Sequence, residues 1–173
     1  MKKTMFFLVA MSLIAAITAQ PAFAKNNFLE DAIIKTSKKI AKSPEIPQNA
    51  KFAFMDFRET ATGRKMNLSL AIEDELSIAL IREMPGRLMI KNSNASVSKD
   101  EGNKDIFSDL AELQAYAKKT DANYIIGGSY YFDSENAVIN VNVINTADGI
   151  ILFSERIKIK RSDLAKKLQP ENI

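Results

Sequence analysis

Neither cysteine nor histidine occurs among the 173 residues. Their absence removes Ser-His and Cys-His nucleophiles, imidazole bases, and nearly every zinc, copper or haem site. Without cysteine there is no disulfide, so a hydrophobic core must hold the fold. A lipid anchor on an N-terminal cysteine likewise has no attachment point. Excess charge of one sign is scarce too. The 24 Lys and Arg nearly balance the 21 Asp and Glu, for a net +3, which makes no case for nucleic acid. Internal repeats, low-complexity tracts and a second domain are also missing. What is left for chemistry is carboxylates, lysines, hydroxyls and main-chain groups.

The main hydrophobic run, Met5 to Ala19, opens the chain. Lys2 and Lys3 precede it and Ala22-Phe23-Ala24 follows, the three parts of a secretory signal. The run is shorter than the ~20 residues a spanning helix needs, and Gln20 and Pro21 interrupt it. Cleavage is therefore expected after Ala24, with a periplasmic product that keeps no membrane span. Removing 24 residues from 173 leaves 149, enough for one domain with a sizeable core. The loss of two lysines leaves 22 basic against 21 acidic residues, a net +1, so the pI near 9.0 belongs to the precursor.

Phe28 to Lys42 carries Leu29, Ile33 and Ile40 at helical spacing, with Lys35, Lys38 and Lys39 on the other side. It predicts a helix that packs on the domain, with a membrane-surface helix as the sharper alternative. Pro44 and Pro47 end it. Lys51 to Phe57 reads as a central strand, with Phe52 and Phe54 on one face and Ala53, Met55 and Phe57 on the other. Arg58 to Lys65 is a polar connection. A helix over Asn67 to Met84 follows, its core stripe being Leu68, Ile72, Leu76, Ala79 and Leu80. Leu88 to Ile90 is a short strand, parallel to the first because a helix joins them.

Asn92 to Asn103 is polar and reads as a mobile surface loop. A third helix should begin near Asp109, which has capping-box spacing to Glu112, with Leu110, Leu113 and Ala117 facing the core. Asn123 to Phe132, NYIIGGSYYF, reads as a strand buried on both faces, whose glycines admit a close neighbour. Two strands complete the sheet. In the first, Ile139, Val141 and Val143 alternate with Asn140, Asn142 and Ile144. After a turn at Ala147 to Gly149, Ile151, Phe153, Ile157 and Ile159 alternate with Ser154, Arg156, Lys158 and Lys160. That basic row suits a sheet edge, where charge discourages edge-to-edge aggregation. The fold class is α/β, a single domain with a mixed sheet of about five strands (β-α-β-α-β-β-β) and an extra N-terminal helix. The expected organisation is 1–24 cleaved signal, 25–50 N-terminal helix and linker, 51–161 α/β domain, and 162–173 C-terminal tail.

Three features invite a chemical reading. Glu59 to Met66 joins a strand to a helix, but it lacks the first glycine of a P-loop and has Met66 where magnesium needs Ser or Thr. Asp56 stands near the C-terminal end of a central strand, where α/β enzymes place acids. A strand-end residue that hydrogen-bonds the next loop is the plainer reading. Glu73, Asp74 and Glu75 are consecutive, diverge around a helix, and read as a solvated face.

KFAFMDF, LSLAIEDELSIALIRE, DLAELQAYAKKTDANYIIGGSYYF and VINVNVINTADGIILFSERI together resemble the FlgO family of exported flagellar-associated proteins. More distantly they are similar to the core domain shared by CsgG, the TolB N-terminal domain and lipoprotein activators of penicillin-binding proteins. The resemblance covers about Phe28 to Ile159, most specifically Ala122 to Gly128 and the turn Thr146 to Gly149. It implies a non-enzymatic envelope interaction protein with no catalytic residue to carry over, no cofactor and no metal. The missing lipidation cysteine departs from many of these proteins. The polar Asn92–Asn103 loop cannot supply the ~9–11-residue apolar-faced strands of a pore. The leading expectation is a periplasmic adaptor that assists a flagellar or surface-secretion assembly. The alternative is a regulator of a cell-wall synthase, and a third is a carboxylate enzyme of envelope glycans centred on Asp56. Expected partners are envelope proteins, with an oligomer open, and the expected binding residues are Arg156, Lys158 and Lys160, beside the 92–103 loop.

Overall fold

The computed structural model describes residues 28–87, 89–91 and 110–168. The expected signal and its cleavage site, Leu88, the 92–103 loop and the cap at Asp109 lie outside these residues. The elements run α1 (Phe28–Lys42), β1 (Phe52–Glu59), α2 (Asn67–Glu83), β2 (Met89–Lys91), α3 (Leu110–Thr120), β3 (Tyr124–Phe132), β4 (Asn136–Asn145), β5 (Ile151–Lys160) and α4 (Arg161–Leu168). The five strands form one mixed sheet in the order β2-β1-β3-β4-β5. β1 is parallel to β2 and to β3, and the β3–β4 and β4–β5 pairs are antiparallel. NYIIGGSYYF is the middle strand, as its composition predicts.

Two apolar layers sandwich the sheet. On one face α1, α2 and α4 cover Phe52, Phe54, Ile126, Tyr130, Ile139, Ile157 and Ile159. On the other, α3 brings Leu113 and Tyr116 onto Ala53, Met55, Ile125 and Ile144. α1 buries Leu29, Ile33 and Ile40 in the larger layer, so its stripe is part of the core rather than a membrane face. Leu110 departs from expectation. It is 42% exposed at the start of α3 while Leu113 and Ala117 are buried.

β1 breaks the alternation its sequence implies. Phe54 pairs with Ile126 and Phe57 with Gly128, so Met55 and Asp56 together stand opposite Gly127. This bulge moves Phe57 into the larger layer with Phe52 and Phe54, while Ala53 and Met55 stay in the smaller one. Burying a phenylalanine is worth about 2–3 kcal/mol, whereas an interrupted ladder bond costs about 1 kcal/mol. The side chain therefore decides the backbone. Phe57 packs over Gly128, where an added Cβ would stand 2.8 Å from its ring and 1.8 Å from the Asn140 carbonyl oxygen. A second register shift separates Val143–Phe153 from Ile144–Ile151. It leaves Ile151 52% exposed rather than aligned with Phe153 as alternation predicts.

Candidate functional site

The bulge turns Asp56 toward the loop that follows β1. Lys65, just before α2, places its ammonium 2.6 Å from Asp56 Oδ1 and 2.9 Å from Glu73 Oε2. Glu73 is buried, at 4% exposure, and its Oε1 accepts the Phe57 N–H at 3.1 Å. The solvated face expected for the acidic run is thus wrong for its first member. Ser69, Ile72, Glu73 and Leu76 share the buried stripe of α2, so Glu73 is carried inward with them. Ser69 also closes the helix start, its Oγ accepting the Met66 N–H at 3.0 Å.

The electrostatics follow from burial. Desolvation pushes the Glu73 carboxyl above its ordinary range, and the hydrogen bonds from Lys65 and Phe57 only partly offset this. For Lys65, burial works downward, but the hydrogen bonds and charges of Asp56 and Glu73 together outweigh it and raise its pKa. Lys65 gains from the cluster, and for Glu73 the lysine offsets part of what burial costs. The two hydrogen bonds on each carry the cluster as an ion pair with a reluctant carboxylate. Nearby, the Tyr116 hydroxyl donates to the Phe54 carbonyl at 2.5 Å, and burial first, then the Asp56 and Glu73 charges, push it up to about 12.

Chemically this cluster is a clamp rather than a catalytic pair. The lysine ammonium occupies the space between the two carboxylates, where a substrate oxygen or water would have to enter. Asp56 therefore holds the next loop, the plainer of its two sequence readings. Among the described residues no group of three or more metal-ligating side chains converges.

Arg156, Lys158 and Lys160 lie on β5, at the outer edge of the sheet. All three are exposed and share one face with Ser154. Arg156 Nε donates to Asn140 Oδ1 at 3.1 Å, and Ser154 Oγ donates to Asn142 Oδ1 at 2.8 Å. Below the opposite face a depression of about 640 Å³ opens between α1 and the end of β5, lined by Phe28, Ala32, Ile159 and Asp163 and also by Lys158 and Lys160 of the basic row. Lys39 of α1 bridges to Glu155 on that side. A smaller depression, about 280 Å³, lies at the far end of the sheet around Asn123, Asn145 and Thr146, whose main-chain N–H groups are already paired.

No protein-family model and no curated protein matches the chain. Solved structures do. The C-terminal domain of LpoB from Salmonella enterica aligns with a TM-score of 0.60 at 12% identity, over 77% of this chain and 98% of that one. The chain has the LpoB C-terminal-domain fold. LpoB from E. coli, solved by NMR, aligns at 0.57 and 14% identity, over 74% of this chain and 65% of that one. The Escherichia coli LpoB C-terminal domain aligns at 0.51 and 11% identity, over 75% and 98%. At these identities the likeness to LpoB is one of fold. No helix among the described residues is long and apolar enough to cross a membrane.

Proposed function

We propose that this chain is a non-enzymatic periplasmic protein that regulates a cell-wall synthase by binding it. The observation that carries the reading is the fold shared with LpoB, a penicillin-binding-protein activator of the envelope. It agrees with the sequence resemblance to penicillin-binding-protein activators, and it favours that alternative over the flagellar adaptor, to which the comparisons lend nothing. The lysine-filled Asp56–Glu73 pair supports a protein that binds rather than turns over a glycan. The secretory pattern of the first 24 residues supports delivery to the periplasm.

The test is reconstitution. The exported protein, purified from the periplasm, is added to the class A penicillin-binding proteins of its own organism, and glycan polymerisation and peptide crosslinking are followed. Stimulation of one synthase by several-fold is the expected result. No change with any of them, under conditions where each is active, overturns the reading.

A further inference from the structure

The hydrogen-bond phase of β5 determines what its outer edge offers. Arg161 N–H donates to Glu135 O, one step beyond the Asn136–Lys160 pair. Hydrogen-bonded and non-hydrogen-bonded pairs alternate in an antiparallel ladder. The β4-facing residues are therefore Ile159, Ile157, Glu155 and Phe153. Ser154, Arg156 and Lys158 turn their N–H and C=O groups the other way, to the edge, and Lys160 turns its N–H there, its C=O serving the first turn of α4. The opposite edge of β4 agrees: Asp133 N–H donates to Asn136 O, so the even-numbered residues of β4 bond β3 and the odd-numbered ones bond β5. Among the described residues no strand lies beyond β5.

We infer that this edge takes an extended segment of a protein partner as a sixth strand, with acidic residues at alternate positions and apolar residues between them. Main-chain bonding to Ser154, Arg156, Lys158 and Lys160 supplies the docking. On the open face the acidic side chains meet Arg156, Lys158 and Lys160. On the other face the apolar side chains land beside Ile157 and Ile159, over the depression where Phe28 is 46% exposed. The same charges reject a second copy, because β5 against β5 sets basic rows against each other. The inference deepens the regulatory reading, and rests on it only for the existence of a protein partner.

The experiment uses the exported protein and three synthetic ten-residue peptides: alternating Glu and Val, the same composition in two blocks, and alternating Lys and Val. Amide hydrogen exchange is followed residue by residue by NMR. The alternating Glu/Val peptide should slow exchange at Ser154, Arg156, Lys158 and Lys160 by tenfold or more, and leave Tyr124–Phe132 unchanged. The block and Lys/Val peptides should do neither. Lys158→Pro removes one outward donor at an edge position that tolerates proline and should weaken binding about tenfold. Should that variant misfold, Arg156→Glu with Lys160→Glu tests the charge arm alone. Equal binding of the block peptide, or binding without edge protection, overturns the inference. Self-association protecting the same amides in the absence of peptide overturns it as well, in favour of a second copy. Because no synthase is present, its failure is separable from failure of the regulatory reading.

Discussion

Glu73 on α2 accepts the main-chain N–H of Phe57 on β1, at 3.1 Å, next to the bulge that frees that donor from regular pairing. The same carboxylate takes Lys65 on its other oxygen. One buried acid therefore ties strand, loop and helix together.

Replacing that acid separates its two tasks. Glu73→Leu leaves a buried donor unmet and should cost about 2–3 kcal/mol in urea denaturation. Glu73→Gln keeps an acceptor for Phe57 and should cost less, about 1 kcal/mol at neutral pH. The pH dependence gives a second readout. Since folding raises the Glu73 pKa above 4.5, the native state binds the extra proton, and stability falls as pH rises from 4.5 through the raised value. Glu73→Gln should lose that slope.

Tyr116 reports on the alkaline side. Its phenol is held neutral up to about 12 against an ordinary 10.0, so its contribution is whole below 10 and is lost as pH rises through about 12. Lys65, raised above 10.5, loses its contribution in the same direction. Tyr116→Phe removes the bond to Phe54 O and should cost about 1–2 kcal/mol at pH 7. In ultraviolet titration it should remove the phenolate step near 12 and leave that of Tyr130, which burial also raises.

Gly128→Ala should be among the most damaging single changes. The new methyl group would press on the Asn140 carbonyl oxygen and the Phe57 ring, one of which is backbone and cannot swing aside. We expect a loss of about 3 kcal/mol or more, with the thermal midpoint as the measure. Gly86, by contrast, is at positive φ and has open space around it. Gly86→Ala should cost only the backbone strain, about 1 kcal/mol.

Asp133 governs the β3–β4 turn. Its Oδ1 accepts the N–H of Asn136 at 2.6 Å and of Glu135 at 2.9 Å, and these bonds, Asn136 first, hold its pKa below 3.8. The contribution is present above 3.8 and lost as pH falls through the depressed value. Asp133→Asn should lower the urea midpoint at neutral pH and leave it nearly unchanged near pH 2, about two units below the ordinary carboxylate range.

Much of this fold was legible because periodicity reports burial directly. α1, α2 and the three strands from Tyr124 to Lys160 match the elements read from their spacing, and the middle place of the Gly-Gly strand followed from its two-sided apolarity. The bulges were not legible. Alternation assigns Phe57 and Ile151 to faces by parity, and an inserted residue reverses parity without leaving a compositional mark. Glu73 was missed for a different reason. Its position on the α2 stripe, four residues after Ser69 and three before Leu76, carried the signal, but the run of three acids read as solvent-facing. Lys65 gave no signal, because its partners come from a strand and a helix that only the tertiary fold brings together. The basic row of β5 was legible as an edge, whereas the direction of its main-chain groups needed the observed register.

The bulge at Met55 and Asp56 makes β1 a strand with two reading frames. Before it, even-numbered side chains serve the α1–α2 layer; after it, Phe57 does. Losing either residue would restore a regular strand in which Phe57 follows Phe54 by two, still opposite Gly128 and still in the α1–α2 layer. A one-residue deletion here would leave the larger layer in place and cost the extra position that carries Asp56 to Lys65. In this strand the count of residues carries structural information that their identities do not.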